Sequence, residues 1–140
     1  MNEKSKRLMA EQKDQIFSSL EKYSGLKVYE DEIAEDEEEE LLNLEKYNFY
    51  TLAMGNFRPA QEPAKSIAQD IVIDYYSENR DDVDDVTIDV ISLISAIKGM
   101  RFNGTQKDRL RVKDMDRYID RVSFLFRRVI PIECMVRGSL

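Results

Sequence analysis

Apolar residues recur at helical spacing near the N-terminus. Met9, Ile16, Leu20 and Tyr23 fall on one side of a 3.6-residue turn, with Phe17 beside them. The spacing predicts a helix over residues 5–23, with Ser5 as N-cap and Gly25 as the stop past the last turn. Val28 and Tyr29 begin a short extended piece. From Tyr47 to Met54 (YNFYTLAM) aromatic residues dominate and the pattern reads as a strand. Tyr47, Phe49, Thr51 and Ala53 face one way; Tyr50, Leu52 and Met54 face the other, with both faces at least partly covered. Gly55, Pro59 and Pro63 mark residues 55–66 as a loop. Ile67 to Ser77 alternates again. Ile67, Gln69, Ile71, Ile73 and Tyr75 make a dry side; Ala68, Asp70, Val72, Asp74 and Tyr76 make a mixed one.

A second helix is predicted over Val86–Lys98, where Val86, Val90, Leu93, Ile94 and Ile97 form an apolar seam. Asp81, Asp82, Asp84 and Asp85 precede it and suit the positive end of its dipole; Lys98 and Gly99 close it. The remainder is extended. Met100–Asn103 runs as a strand into Gly104. Arg109–Met115 alternates, with Leu110, Val112 and Asp114 opposed to Arg109, Arg111, Lys113 and Met115, and Asp116 and Arg117 turn the chain. In the long segment Ile119–Val136, Val122, Phe124 and Phe126 share a face with Ile130 and Ile132, while Ser123, Leu125 and Arg127 share the other. Pro131 confines the last part to a sheet edge or a bulge. The order of elements predicts one α+β domain over residues 1–140, with a mostly antiparallel sheet and two helices packed on one face. One layer of helices leaves the other face partly open, and an exposed apolar patch there marks protein contacts.

Composition narrows the chemistry. The chain has 140 residues, 42% apolar and 35% charged, with a net charge of −7 and no histidine. Without imidazole there is no Ser-His or Cys-His nucleophile pair and no His-bearing zinc site, so no enzyme and no cofactor is expected. The lone cysteine, Cys134, has no base partner; a core thiol and a reducing compartment are expected. The polar start, Met1 to Arg7, carries no secretory signal, and no apolar run reaches the roughly 18 residues of a membrane helix.

Charge is unevenly placed. Between Glu30 and Glu40 nine of eleven residues are acidic, which predicts an exposed acidic loop at about 30–45, partly helical around Leu41–Leu44. Residues 1–97 hold 10 Lys/Arg against 23 Asp/Glu, whereas residues 98–140 hold 11 against 5. Two readings follow: solvated acidic loops with polar strand faces, or a self-complementary subunit whose copies stack acidic surface on basic surface. Asp31–Glu40 has no glycine, so it is no EF-hand loop. The Asp81–Asp85 cluster lacks a phosphate cradle and reads as dressing of the helix start. A net negative chain repels phosphate, so no specific nucleic-acid partner is expected. The basic row Arg109, Arg111, Lys113, Arg117, Arg121, Arg127 and Arg128 is either edge protection or an interface row. With Tyr47 and Phe49, all but Arg128 form the candidate interface set.

The succession of VYEDE at Val28–Glu32, YNFYTLAMG at Tyr47–Gly55, DIVIDYYSE at Asp70–Glu78, the helix Val86–Lys98 and Arg101–Arg128 with DRYIDRVSFLFRR resembles the tail terminator (tail completion) proteins of long-tailed bacteriophages. The likeness covers residues 5–132 and leaves a C-terminal extension at about 131–140. It implies a hexameric ring that caps the tail tube, stops its polymerisation and joins tail to head. The implied partners are other copies of the chain, the tail tube protein and a head-completion or stopper protein. The implied location is the tail–head junction of the virion, after assembly in the host cytoplasm. It implies no catalytic residues and no membrane. An acidic lumen formed by Glu35, Asp36, Glu37, Glu38, Glu39 and Glu40 would repel a packaged genome as it passes. Two alternatives stand beside this: another head–tail neck component, such as a stopper or adaptor, and an acidic DNA-mimic inhibitor. The basic C-terminal part speaks against the mimic.

Overall fold

The structure, a computed structural model, describes residues 1–30, 48–61, 65–111 and 117–133. In chain order the elements are α1 (Glu3–Ser24), β1 (Val28–Glu30), β2 (Asn48–Pro59), β3 (Ser66–Ser77), α2 (Val83–Ser95), β4 (Met100–Arg111) and β5 (Tyr118–Pro131). The strands form one sheet in the order β1-β2-β3-β5-β4. Only β1 and β2 are parallel; every other pair is antiparallel. The chain is thus the expected α+β type.

Both described helices pack on one face. Ile16 and Leu20 of α1 meet Val86, Val90 and Ile94 of α2, and all sit on Tyr50, Leu52, Ile71, Ile73, Tyr75, Val122, Phe124 and Phe126 of the sheet. The strand residues are those that the two-residue alternation assigns to one side. Tyr50 and Tyr75 stack with ring centroids 4.8 Å apart. Burying each large apolar side chain contributes about 1.5–3 kcal/mol, so this layer carries the fold. No described helix is long and apolar enough to cross a membrane.

The structure departs from the sequence expectation at element ends. Ser5 does not cap α1: it lies inside the helix, buried, and its hydroxyl donates to the Pro131 carbonyl. Asn2 takes the cap position without a side-chain cap bond, and its Oδ1 instead accepts the Glu133 amide at 2.7 Å. The start of α1 is therefore tied to the end of β5. Gly25 stops the helix as expected, with φ 70° and its amide bonded to the Glu21 carbonyl. Tyr23 is largely exposed instead of on the buried stripe.

β2 runs on through Pro59, where a loop was expected. A bulge between Met54 and Phe57 absorbs one extra residue, and the described residues of β1 pair with Tyr50–Leu52. No described strand pairs with the outer side of β2 beyond Leu52, and Pro59, which has no amide to donate, stands on that side. β4 is one strand, not two pieces, because a bulge between Phe102 and Gly104 restores its register. α2 starts three residues before Val86 and ends at Ser95, so Lys98 and Gly99 fall in the tight link to β4. Gly99 has φ 87°, and a side-chain carbon there would meet Gln12 Nε2 at 2.6 Å. Leu93 is only partly buried; Ile97 closes the seam. Pro131 ends β5 where Ser66 of β3 is its neighbour, past the last residue paired with β4.

Candidate interaction surface on the uncovered sheet face

The alternation that fills the core sets a second row of side chains on the opposite face. β3 contributes Ala68, Asp70, Val72, Asp74 and Tyr76, and β5 contributes Arg121, Ser123, Leu125 and Arg127. Both helices lie on the other side, and no further described element covers this one. Its centre is Val72 opposite Leu125, both partly exposed. At one end Tyr29, Phe49 and Tyr76 form a small aromatic cluster. Phe49 stacks on Tyr76 at 4.8 Å and meets Tyr29 edge-on at 5.6 Å, and the Lys27 amine sits over the Tyr29 ring. Phe49 is buried within this cluster, and Tyr76 is its partly exposed member.

The structure divides the expected basic row. Arg109 lies on the helix side of β4 and pairs with Asp120 across the ladder at 3.1 Å. Arg111 shares that side and is also engaged within the chain. Arg117 forks onto Glu78, with Nε 2.7 Å from Oε2, and Glu78 is buried. Arg121 lies on the uncovered face and pairs with Asp108 at 3.0 Å. Arg127 lies on the same face; its Nε is buried without a hydrogen bond, and it has no ion pair among the described residues.

Arg128 lies furthest from the expected row. It has the parity of Phe124 and Phe126 and lies in the interior, not in a surface row. Its guanidinium donates to Gln69 Oε1 at 2.9 and 2.6 Å, to the Met9 carbonyl at 3.2 Å and to Gln12 Oε1 at 3.4 Å. Burial pulls its pKa below the ordinary arginine value. A buried cation held by neutral acceptors fixes α1 to the sheet. The alternation in β5 already pointed inward for this residue; its charge obscured that.

A charged cleft of about 390 Å³ lies where α2 begins, lined among others by Arg80, Asp84, Lys107, Arg109, Asp120 and Arg121. Arg80 forks onto Asp82 at 2.7 and 2.6 Å and donates to the Tyr75 hydroxyl at 2.8 Å. The guanidinium holds the Asp82 carboxyl below the usual carboxylate range. Lys107 pairs with Asp84. On α1, the Tyr23 hydroxyl donates to Asp89, and that bond pushes its pKa up to about 12. Most carboxylates of the cleft are matched by a cation, so its chemistry is to clamp α2 onto the β4–β5 hairpin. Among the described residues no group of three or more metal-ligating side chains comes together.

Tyr47, Lys113, Glu35, Asp36, Glu37, Glu38, Glu39 and Glu40 lie outside the described residues, as do the rest of the 31–45 loop expectation, Val112, Asp114, Met115, Asp116, Cys134 and the extension from residue 134. No protein-family model matches this chain, and no curated protein matches it.

Proposed function

We propose that this chain is a structural subunit of a bacteriophage neck, a tail terminator whose copies close a ring, cap the tail tube and join it to the head. The supporting observation is the one-sided sheet. Its uncovered face has an apolar centre, Val72 and Leu125, edged by Tyr76, Asp70 and Arg127, all partly exposed. Such a face suits association with another chain. A ring of identical subunits needs heterologous contacts, in which one surface meets a different one on the neighbour, and the uneven charge of this chain fits that geometry. The virion junction, the tube protein and a stopper protein belong to this same proposal.

The test is solution mass by light scattering, alone and with isolated tail tubes. A multiple of the 16.4 kDa chain, alone or on the tubes, is the expected result. Binding to isolated heads and not to tubes reassigns the chain to the head side of the neck. A strict monomer that ignores both, yet competes with DNA for a basic protein, overturns the proposal in favour of a mimic.

A further inference from the structure

Three arginines and one carboxylate meet at one end of the uncovered face. Arg127 of β5 is directly opposite Asp70 of β3 on one side and Arg101 of β4 on the other. Asp70 is already held by Arg58 of β2 at 2.5 Å. Neither Arg127 nor Arg101 has an ion pair among the described residues, and Arg127 Nε is buried with no acceptor. Like charges directly opposite each other on neighbouring strands are destabilising. Arg58, Pro59, Gln61, Ala68 and Arg127 line a groove of about 580 Å³ beside them. The arrangement is one carboxylate short on each of two guanidiniums.

The matching surplus lies on the same chain at the far end of the opposite face. The outer side of α2 and the turn before it expose Asp81, Asp85 and Ile88. Asp81 and Asp85 have no ion pair among the described residues, and the helix contains no Lys or Arg. Ile88 is 65% exposed, the most open large apolar side chain described. Acid flanks an apolar residue there, just as arginine flanks Val72 and Leu125 on the sheet. The two surfaces point away from each other, so one molecule cannot join its own.

We infer that the groove beside Arg127, together with Arg101 on the adjoining strand, is a subunit-docking site that receives Asp81, Asp85 and Ile88 of a second copy, giving a head-to-tail contact. This deepens the ring proposal by naming its contact. The charges set orientation and on-rate, and burial of Ile88 against Val72 and Leu125 holds the contact.

The experiment uses two full-length variants, Arg101→Glu/Arg127→Glu and Asp81→Lys/Asp85→Lys, each checked for a wild-type melting curve. If the glutamate pair fails to fold, Arg101→Gln/Arg127→Gln replaces it. Under conditions where wild type assembles, each variant alone is expected to be monomeric. An equimolar mixture is expected to recover assembly, because the intact groove meets the intact helix at one junction and the reversed groove meets the reversed helix at the next. The four-site charge swap is expected to restore the wild-type mass. Assembly of either folded variant like wild type overturns the contact while leaving the ring proposal standing. A wild type that never assembles, even on tail tubes, overturns both. If assembly is unaffected and only binding to a duplex DNA probe is lost in the arginine variant, the groove belongs to phosphate and the inference is wrong.

Discussion

The two faces of the sheet are built by the same two-residue alternation and end in opposite conditions. The helix side gathers Tyr50, Ile71, Ile73, Phe124 and Phe126 under α1 and α2, nearly all with no exposed surface. The other side interleaves Asp70, Val72 and Asp74 with Ser123, Leu125 and Arg127, and no described element lies over it. Neighbours in sequence therefore differ completely in situation: Phe124 is sealed while Leu125 is partly open, and Arg128 is interior while Arg127 faces out. The lesson is that the residue type says less than the parity. A strand places charge in the core when parity demands it, provided neutral acceptors wait there, and sets apolar groups such as Val72 and Leu125 on the other face by the same rule.

The largest effect that should break this contrast is Phe124→Ala. It is expected to cost about 3–5 kcal/mol by urea unfolding, against about 1 kcal/mol or less for Leu125→Ala in the free chain. Equal losses would mean that both faces are core. Next comes Arg128→Ala, which leaves Gln69 and Gln12 without their donor and is expected to cost about 1–3 kcal/mol, whereas Arg127→Ala should stay within about 0.5 kcal/mol. Arg117→Ala takes the guanidinium fork from the buried Glu78 carboxylate; a loss of about 1–3 kcal/mol in the same assay is expected, with Arg117→Lys recovering part of it.

The smallest effect concerns alkaline pH. Burial raises the pKa values of Tyr50 and Tyr75, and the Asp89 hydrogen bond raises Tyr23 to about 12. Each folded value lies above the unfolded one, so the protonated phenol is favoured by folding. The contribution is complete below about pH 10 and declines as pH rises through the folded values. Melting temperature should therefore fall above pH 10, and Tyr50→Phe should flatten that decline. An unchanged slope would show that Tyr50 ionises freely.

Much of this was legible in the chain. The alternation in Ile67–Ser77 and Val122–Phe126 assigned each residue to its side, and the seam from Val86 to Ile97 placed the second helix. Misreadings came where a local signal was overruled from a distance. Ser5 has the chemistry of a cap, but the carbonyl of Pro131, far along the chain, claims its hydroxyl. Pro59 reads as loop, but it continues β2 in register with Ile67 of β3. Bulges at Gly55–Asn56 and Asn103 conceal long strands because they break the period the eye follows. The basic row looked continuous in sequence; strand pairing sends Arg109 and Arg111 to one face and Arg121 and Arg127 to the other.

Oxidative footprinting of the free chain and of the assembled state, taken at the concentration or tube ratio where mass first exceeds one chain, bears on the uncovered face most directly. Val72, Tyr76 and Leu125 should lose labelling on assembly by several-fold, while exposed Tyr118 at the far end of β5 keeps its own. Labelling of those three residues that is the same in both states, or a chain that never exceeds one copy, would show that this face is finished surface and not a joint.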